Sequence, residues 1–375
     1  MSAIDLNNIN RVLVVRLDDI GDMVLTTPFI RELRRNLPNA WITLIVSETV
    51  FNMVELCPYV DEILKVNCKA RCLTDCVRNF INAIRFRKHF CNSESYDLAI
   101  APRWDVDLHG ASILAYSSKA THRIGYSRKV KRSKKFLNWG LDYCFTDLLY
   151  DNKLKHEVER NLSIINFLGG EVKTKKLELW LGSEDISFAK QQLSGFRNKF
   201  CIGIGIGAGH RRRIWPVTNF IELALKCKDT YGAKFVLVGG PEDEEKGKQF
   251  SAQLGEGVID FTGKTTLRQT VALLKYCDLL VGNDTGSKHI AAAMEVPVVE
   301  ITPHPFSGDP SRNMSPKRFG AWGVKHIVVQ PNKALSPCSE TCRAQESHCI
   351  RSVKVESVYK AIGKLLSDHE KAIAL

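Results

Sequence analysis

The chain has 375 residues, 44% hydrophobic and 25% charged, which is the composition of a globular α/β protein with room for two cores. No apolar run approaches the ~20 residues that a membrane-spanning helix needs, and the opening MSAIDLNNIN has neither the basic start nor the apolar stretch of a secretory signal, so a cytoplasmic protein is expected. With 53 basic and 41 acidic residues, the formal charge of +12 favours an anionic partner such as a phosphate, a nucleic acid or an acidic membrane surface.

Residues 11–28, RVLVVRLDDIGDMVLTTP, open the first predicted unit. Val12, Leu13, Val14 and Val15 form an apolar run that suits a strand covered on both faces of a parallel sheet. A polar loop follows, with Asp18, Asp19 and Asp22 around Gly21 at the carboxyl end of that strand, where open α/β sheets place their ligands. The helix that starts there favours ionised carboxylates through its positive end. Such a carboxylate serves as a general base or a cation ligand. Asp18 or Asp19 can instead simply cap the helix.

The chain then reads as a helix over 23–37, strands near 41–46, 62–66 and 96–101, and helices over 72–90 and 110–118. A short strand or turn at 121–125 leads into a basic loop, 127–135, that holds Arg128, Lys129, Lys131, Arg132, Lys134 and Lys135. A helix over 151–167 ends at Gly169 and Gly170. A linker region over 171–196 is expected to carry a short strand at 177–181 and a helix at 184–192. The second series has strands at 200–206, 234–238, 258–261, 278–281 and 297–301, the last of them closing the sheet. Its helices lie at 217–231, 244–254, 267–276 and 287–294, and an amphipathic tail helix spans 355–374. This alternation predicts an α/β chain with two doubly wound domains facing across a cleft. Their expected bounds are 1–175 and 176–350, with 351–375 returning towards the first domain.

Several stretches carry chemistry. Gly203, Gly205, Gly207 and Gly209 in CIGIGIGAGHRRRIWP include a G-x-G-x-x-A spacing, but no helix start and no acidic residue follow where a dinucleotide fold needs them. The run reads better as a strand end close under a ligand, with Arg211, Arg212 and Arg213 as a phosphate-contacting or merely solvated loop. In VGNDTGSKHIAAAMEVPVV, Asp284, Thr285 and Gly286 form a turn before a helix that starts near Ser287, an anion site with His289 in its first turn. The alternative is an N-capped helix with a surface histidine. In GGPEDEE, an acid between Glu242 and Glu245 can accept ribose hydroxyls or merely complement a helix N-terminus. HEVERN, residues 156–161, reads as a helix start with structural charges.

The twelve cysteines are expected to be reduced, with Cys144, Cys201, Cys227 and Cys277 acting as small core residues. Cys338, Cys342 and Cys349 with His348 offer a metal-capable donor set. Their C-x3-C-x6-C spacing is not a standard zinc knuckle, and the adjacent His348 and Cys349 are expected to have trouble reaching one ion, so no metal is predicted. P-loop, nucleophile-elbow and H-E-x-x-H motifs are absent from the sequence.

RLDDIGDMVLTTPFIRELRRNLPNAWITLIV, HEVERN, RRRIWPVTNF, VLVGGPEDEE, FTGKTTLRQTVALLKYCDLLVGNDTGSKHIAAA and the C-terminal PCSETC…HCI occur in one order. Over roughly positions 10–365 they closely resemble the family 9 glycosyltransferases, the ADP-heptose:lipopolysaccharide heptosyltransferases and their relatives. The resemblance implies a GT-B fold, two Rossmann-like domains with the acceptor held by the first and the nucleotide-sugar donor by the second. It implies inverting, metal- and cofactor-independent transfer of a heptose from ADP-heptose to a lipopolysaccharide core. Asp22 matches the general base. Asp284, Thr285, Gly286 and His289 match the donor motif, Arg213 stands where relatives often carry Lys, and one of the acids from Glu242 to Glu245 would meet the ribose. Relatives commonly have two small hydroxyl residues where this chain has Asp18 and Asp19, and carboxylates there would repel donor phosphates.

The net charge fits a phosphorylated, lipid-linked acceptor at the inner face of the inner membrane, with Arg103, Arg128, Lys129, Lys131 and Arg132 as candidate contacts. Alternative readings are a protein O-heptosyltransferase, a nucleotide-sugar epimerase on the same fold, or a basic nucleic-acid-binding protein. The last lacks any recognised reading motif, so no nucleic acid is expected as a partner.

Overall fold

A computed structural model describes residues 4–68, 73–86 and 95–373. The chain divides into two units, Met1–Lys175 and Lys176–Leu375. No described helix is long and apolar enough to cross a membrane.

The first unit is built on a parallel sheet of β1 (Arg11–Arg16), β2 (Trp41–Ser47), β3 (Glu62–Val66), β4 (Leu98–Ala101), β5 (His122–Tyr126) and β6 (Asp147–Leu149). Their order is β3-β2-β1-β4-β5-β6. The chain therefore reverses its winding between β1 and β4, which pair Val12 with Leu98 and Val14 with Ile100. Loops leaving the carboxyl ends of those two strands meet at the switch point of the sheet. Val12, Leu13, Val14 and Val15 are all at most 1% exposed, as their unbroken apolar pattern requires.

The helices of this unit are α1 (Ile20–Val24), α2 (Thr27–Asn36), α3 (Glu48–Val54), α4 (Leu73–Phe86), α5 (Ala111–Ser117), α6 (Arg132–Leu137) and α7 (Glu157–Phe167). The helix expected over 72–90 is seen as α4; residues 72 and 87–90 lie outside the described residues. The single helix expected over 23–37 is two. Pro28 has no N–H to give to the Val24 carbonyl, and the Thr27 hydroxyl takes that carbonyl at 2.8 Å. Thr26 Oγ1 donates to the Asp22 carbonyl at 2.7 Å, and Asn161 Nδ2 reaches across from α7 to Leu25 O at 3.0 Å and Thr26 Oγ1 at 3.2 Å. The helix expected from 151 begins only at Glu157, because His156 takes the cap position and accepts from the Val158 N–H at 3.3 Å. The supposed basic loop is a 3₁₀ turn, Arg128–Val130, followed by α6.

The second unit repeats the plan with β7 (Cys201–Gly205), β8 (Lys234–Val238), β9 (Val258–Asp260), β10 (Leu279–Asn283), β11 (Val298–Ile301) and β12 (His326–Val329), in the order β12-β11-β10-β7-β8-β9. Its helices are α8 (Ser183–Gln192), α9 (Val217–Tyr231), α10 (Glu244–Leu254), α11 (Leu267–Lys275), α12 (Gly286–Ala293), α13 (Pro316–Phe319) and α14 (Val355–Ile373).

Three expectations change here. Residues 177–181 form no strand; Leu177 and Leu179 are buried in an extended segment outside the ladders. The sheet continues past 301 to β12, whose His326 to Val329 pair with Val298 to Ile301 of β11. The tail helix, expected to return to the first domain, buries Val358, Ala361, Ile362 and Leu365 in the core of the second unit, among residues of β7, β8, β10 and β11.

Candidate active site

Chemistry-bearing side chains gather at the switch point of each unit. In the first, Arg16 is the last residue of β1 and only 2% exposed. Its guanidinium lies 3.2 Å from Asp18 Oδ2 and 3.1 Å from Asp22 Oδ1 and also donates to the Pro102 carbonyl after β4. Arg103, two residues past β4, lies 2.8 Å from Asp18 Oδ1 and 3.5 Å from Asp22 Oδ1. His109 Nδ1 approaches Asp18 Oδ1 at 3.6 Å. Asp107 holds the His109 loop by accepting from the backbone N–H groups of His109, Gly110, Ala111 and Ser112 at 2.8–3.2 Å.

The two carboxylates differ. Burial works to raise Asp18, but Arg103 and Arg16, with His109, outweigh it and hold its carboxyl far below the usual range. Asp22 is as close to Arg16 but farther from Arg103, at 3.5 Å, and faces the charges of Asp18 and Asp19. Burial dominates there and pushes it up to about 6. The helix start was expected to favour the ionised form of these carboxylates; for Asp22, desolvation outweighs it. With a side chain 19% exposed, Asp22 is both reachable and titratable near neutrality, the condition for a general base. His109 is itself raised: burial opposes its protonation, but the bond to Asp18 prevails.

Arg103, after Arg16, opposes the effect of burial on Asp22 and should help set the pH at which it titrates. In Arg103→Met the acid limb of the pH–rate profile is expected to move upward by about half a pH unit or more, because a nearby positive charge is lost. A limb left at its wild-type position would exclude this coupling.

The remaining residues of the loop divide. Asp18 does not cap a helix, and Asp19 occupies the cap position of α1, exposed, without a capping bond among the described residues. Gly21 lies inside α1. Arg103, expected among acceptor contacts, pairs with the carboxylate cluster. Lys131 pairs with Asp105 and lies over the Trp104 ring at 5.3 Å. Lys134 is buried and donates to the Arg103 carbonyl at 2.7 Å, and burial pushes it down to about 7. Lys129, Arg132 and Lys135 are exposed and Arg128 is half-buried. HEVERN is structural: Arg160 lies 4.1 Å over the Trp104 ring and donates to Lys153 O at 2.9 Å, while Asn161 clasps the α1–α2 junction.

In the second unit β10 runs to Asn283, two residues beyond the expected end. Asn283 Nδ2 donates to the carbonyls of Ile206 at 3.0 Å and Gly207 at 3.2 Å, and its Oδ1 accepts from Trp215 N at 2.9 Å. It thereby joins the glycine run to the Trp215 segment. Lys288 Nζ lies 2.6 Å from both Asp284 Oδ1 and Glu300 Oε1, and all three side chains are at most 5% exposed. Arg213 Nη1 donates to Asp284 O at 3.4 Å and stands 3.7 Å from its Oδ2.

Burial opposes ionisation of Asp284, yet Lys288 and Arg213 hold it below its ordinary range. Glu300, which shares Lys288 with that anion, is pushed by burial up to about 7. Thr285 precedes α12 and its hydroxyl lies 2.9 Å from Ser287 Oγ, while Gly286 opens the helix. Free N–H groups at such a start suit an anion. His289 is buried rather than on the surface.

The glycine run is tight: a Cβ at Gly205 would fall 2.6 Å from Ser287 Oγ, and one at Gly207 would fall 1.8 Å from Asp243 Oδ2. Glu242 and Glu245 are exposed. Asp243 is the buried acid of that turn, and accepts from Gly240 N at 3.1 Å and Lys246 Nζ at 2.8 Å.

Sequence reading missed Arg16, His109, Lys288 and Glu300. A charged residue inside the apolar VPVVEI strand and a lysine four positions after Asp284 were the available signals. Adjacent His348 and Cys349, expected to have trouble converging, do converge: with Cys338 and Cys342 they present ligand atoms all within 4.8 Å of one another.

Residues 84–348 match glycosyltransferase family 9 (heptosyltransferase). The lipopolysaccharide heptosyltransferase 1 of Campylobacter coli is 22% identical over 383 aligned positions, which cover 96% of this chain and 99% of that protein. A family 9 glycosyl transferase from Veillonella parvula superposes with a TM-score of 0.75 at 23% identity, covering 98% of this chain and 100% of that one. The Escherichia coli ADP-heptose lps heptosyltransferase II superposes with a TM-score of 0.69 at 21% identity, covering 96% of this chain and 99% of that one.

Proposed function

The chain belongs to glycosyltransferase family 9, the heptosyltransferases, a family of GT-B enzymes, and from that premise we propose that it moves a heptose from ADP-heptose onto a lipopolysaccharide-core acceptor with inversion. The observation that carries the reading is Asp22, a partly exposed carboxylate pushed up to about 6 beside two guanidiniums. It takes the proton of the acceptor hydroxyl as that oxygen attacks the anomeric carbon; the bond to the diphosphate breaks and its electrons leave with the phosphate. One base and one displacement give inversion. The turn of Thr285 and Gly286, the positive start of α12 and Arg213 receive the growing charge of the leaving group, and His289 lines that turn. Glu242 or Glu245 accepts from the ribose hydroxyls.

Cations within the protein take the place of a divalent ion in the transfer. Asp284 is already neutralised by Lys288 and Arg213, and Asp18 by Arg16 and Arg103, so neither offers the free acidic pair that would hold one. That internal pairing of Asp18 also blunts the repulsion that a carboxylate in this loop would exert on donor phosphates.

Transfer assays with ADP-heptose against UDP- and GDP-sugars test the reading. Product is expected from ADP-heptose. Preferred use of another nucleotide, or epimerisation of the donor without an acceptor, would refute it.

The acceptor is lipid-linked and phosphorylated in this reading, and α6 with the residues after it meets the inner membrane. Phe136, Trp139 and Tyr143 are 67%, 79% and 88% exposed, among the exposed bases Lys129, Arg132 and Lys135. Exposed aromatics beside bases suit an anionic interface. The double variant Phe136→Ser, Trp139→Ser is expected to lose most of its co-sedimentation with phosphatidylglycerol vesicles at about 0.15 M salt. Undiminished binding would remove α6 from the contact.

A further inference from the structure

Three thiols and one imidazole converge in the second unit, apart from every group used in the proposed transfer. His348 Nδ1 stands 3.7 Å from Cys338 Sγ and 3.4 Å from Cys349 Sγ, and the Cys342 sulfur completes a set whose members all lie within 4.8 Å of one another. Around a tetrahedral zinc ion, with Zn–S about 2.3 Å and Zn–N about 2.0–2.1 Å, nitrogen and sulfur ligands sit about 3.6 Å apart and two sulfurs about 3.8 Å apart. The two nitrogen–sulfur distances are already at that spacing, and no pair of ligand atoms in the set is more than 4.8 Å apart.

The neighbouring positions of His348 and Cys349 are reconciled by the backbone. His348 has φ −133° and ψ −87°, at the cap of the 3₁₀ turn Cys349–Ser352, and this break lets both side chains reach one point. Cys342 and Cys349 are 2% and 0% exposed, and Cys338 and His348 are half-buried. The Arg343 N–H donates to Cys338 Sγ at 3.4 Å, the kind of outer bond that steadies a metal-bound thiolate. All three cysteines are free thiols.

We propose that Cys338, Cys342, His348 and Cys349 hold one structural zinc ion. Four protein ligands leave no open position, so the ion fastens the fold and does not take part in transfer. What it fastens is the turn that carries Arg213. Ser347 Oγ donates to Arg211 O at 3.1 Å and to Ile214 O at 2.6 Å, and Glu346 pairs with Arg211 at 2.8 Å. On the far side, Ile350 anchors the same segment in the core. This positioning role rests on the donor role proposed for Arg213; the metal itself does not.

The test is elemental analysis of the untagged full-length protein, purified without chelator. About one zinc per chain is expected, falling below about one fifth in Cys342→Ser, Cys349→Ser. His348→Cys, which keeps four ligands, is expected to retain it. Should the double variant fail to fold, cobalt(II) exchanged into the wild type must give the intense visible bands of a tetrahedral thiolate site. No metal, iron at that stoichiometry, or a disulfide among the three cysteines in the purified protein would each overturn the zinc assignment. In the stripped protein the donor KM is expected to rise several-fold with kcat less affected. An unchanged KM would overturn the positioning role, while zinc content is read without any transfer assay.

Discussion

Asp22→Asn is expected to lower kcat by about a hundred- to ten-thousand-fold at neutral pH, the usual worth of a positioned general base. The amide keeps the shape of the carboxylate but cannot take a proton, so the donor KM should stay within about twofold. The wild-type profile carries the same signature. A base must be deprotonated to act, so kcat/KM should rise with pH through about 6, where burial has pushed Asp22, and level off above it. Asp22→Asn should lose that limb along with the rate. Near-wild-type turnover by the variant would take the base role from Asp22. The buried neighbour Asp18 is a weak substitute, because Arg103 and Arg16 hold it too acidic to accept a proton near neutrality.

Lys288→Met should be the most destabilising of these substitutions. It leaves Asp284 and Glu300 buried, with Arg213, 3.7 Å from Asp284, as the larger of the remaining cationic influences beside His304. Breaking such a pair costs about 3–5 kcal/mol, to be read from urea unfolding. The sign of its pH dependence follows from linkage. Without Lys288 both carboxyls have folded-state pKa values above their unfolded values of about 4. The folded state then binds the extra protons, and the loss is absent below the unfolded values and complete above the folded ones. The deficit should therefore be smaller at pH 5 than at pH 8. Adding Glu300→Gln should recover part of it at pH 8. A loss under about 1 kcal/mol there would mean that the buried lysine neutralises neither acid.

How far the chain was legible depended on the range of the interaction concerned. Val217–Tyr231, Lys234–Val238 and Glu244–Leu254 fall where periodicity and turn residues put them, because those signals act within one element. The break between α1 and α2 was partly written in Pro28, but the Asn161 bonds that secure it come from 135 residues away, and no local pattern carries them. Likewise, the loop residues alone left Asp18, Asp19 and Asp22 equivalent, and only the resemblance to family 9 glycosyltransferases singled out Asp22. Its separation from Asp18 in acidity depends on Arg103 and His109, which the fold brings in from the far side of β4. The acidic turn left a choice among its acids, and the sequence did not tell that Asp243 is the buried one, seated where Gly207 lacks a Cβ. The convergence of Cys338, Cys342, His348 and Cys349 was not legible in their spacing, because a knuckle rule assumes ordinary backbone between ligands, and His348 departs from it.

The Asn161 clasp carries a consequence for inheritance as much as for chemistry. The carbonyl of Asp22 is bonded by Thr26, and Thr26 by Asn161, so the aim of the proposed base is shared with a helix that supplies none of the groups proposed to react. Mutations that silence the protein need not cluster in the loop where the proton moves. A random library screened for lost transfer but retained expression would be enriched at α7, and a lineage drifting there would have to change both ends of the clasp together to stay alive.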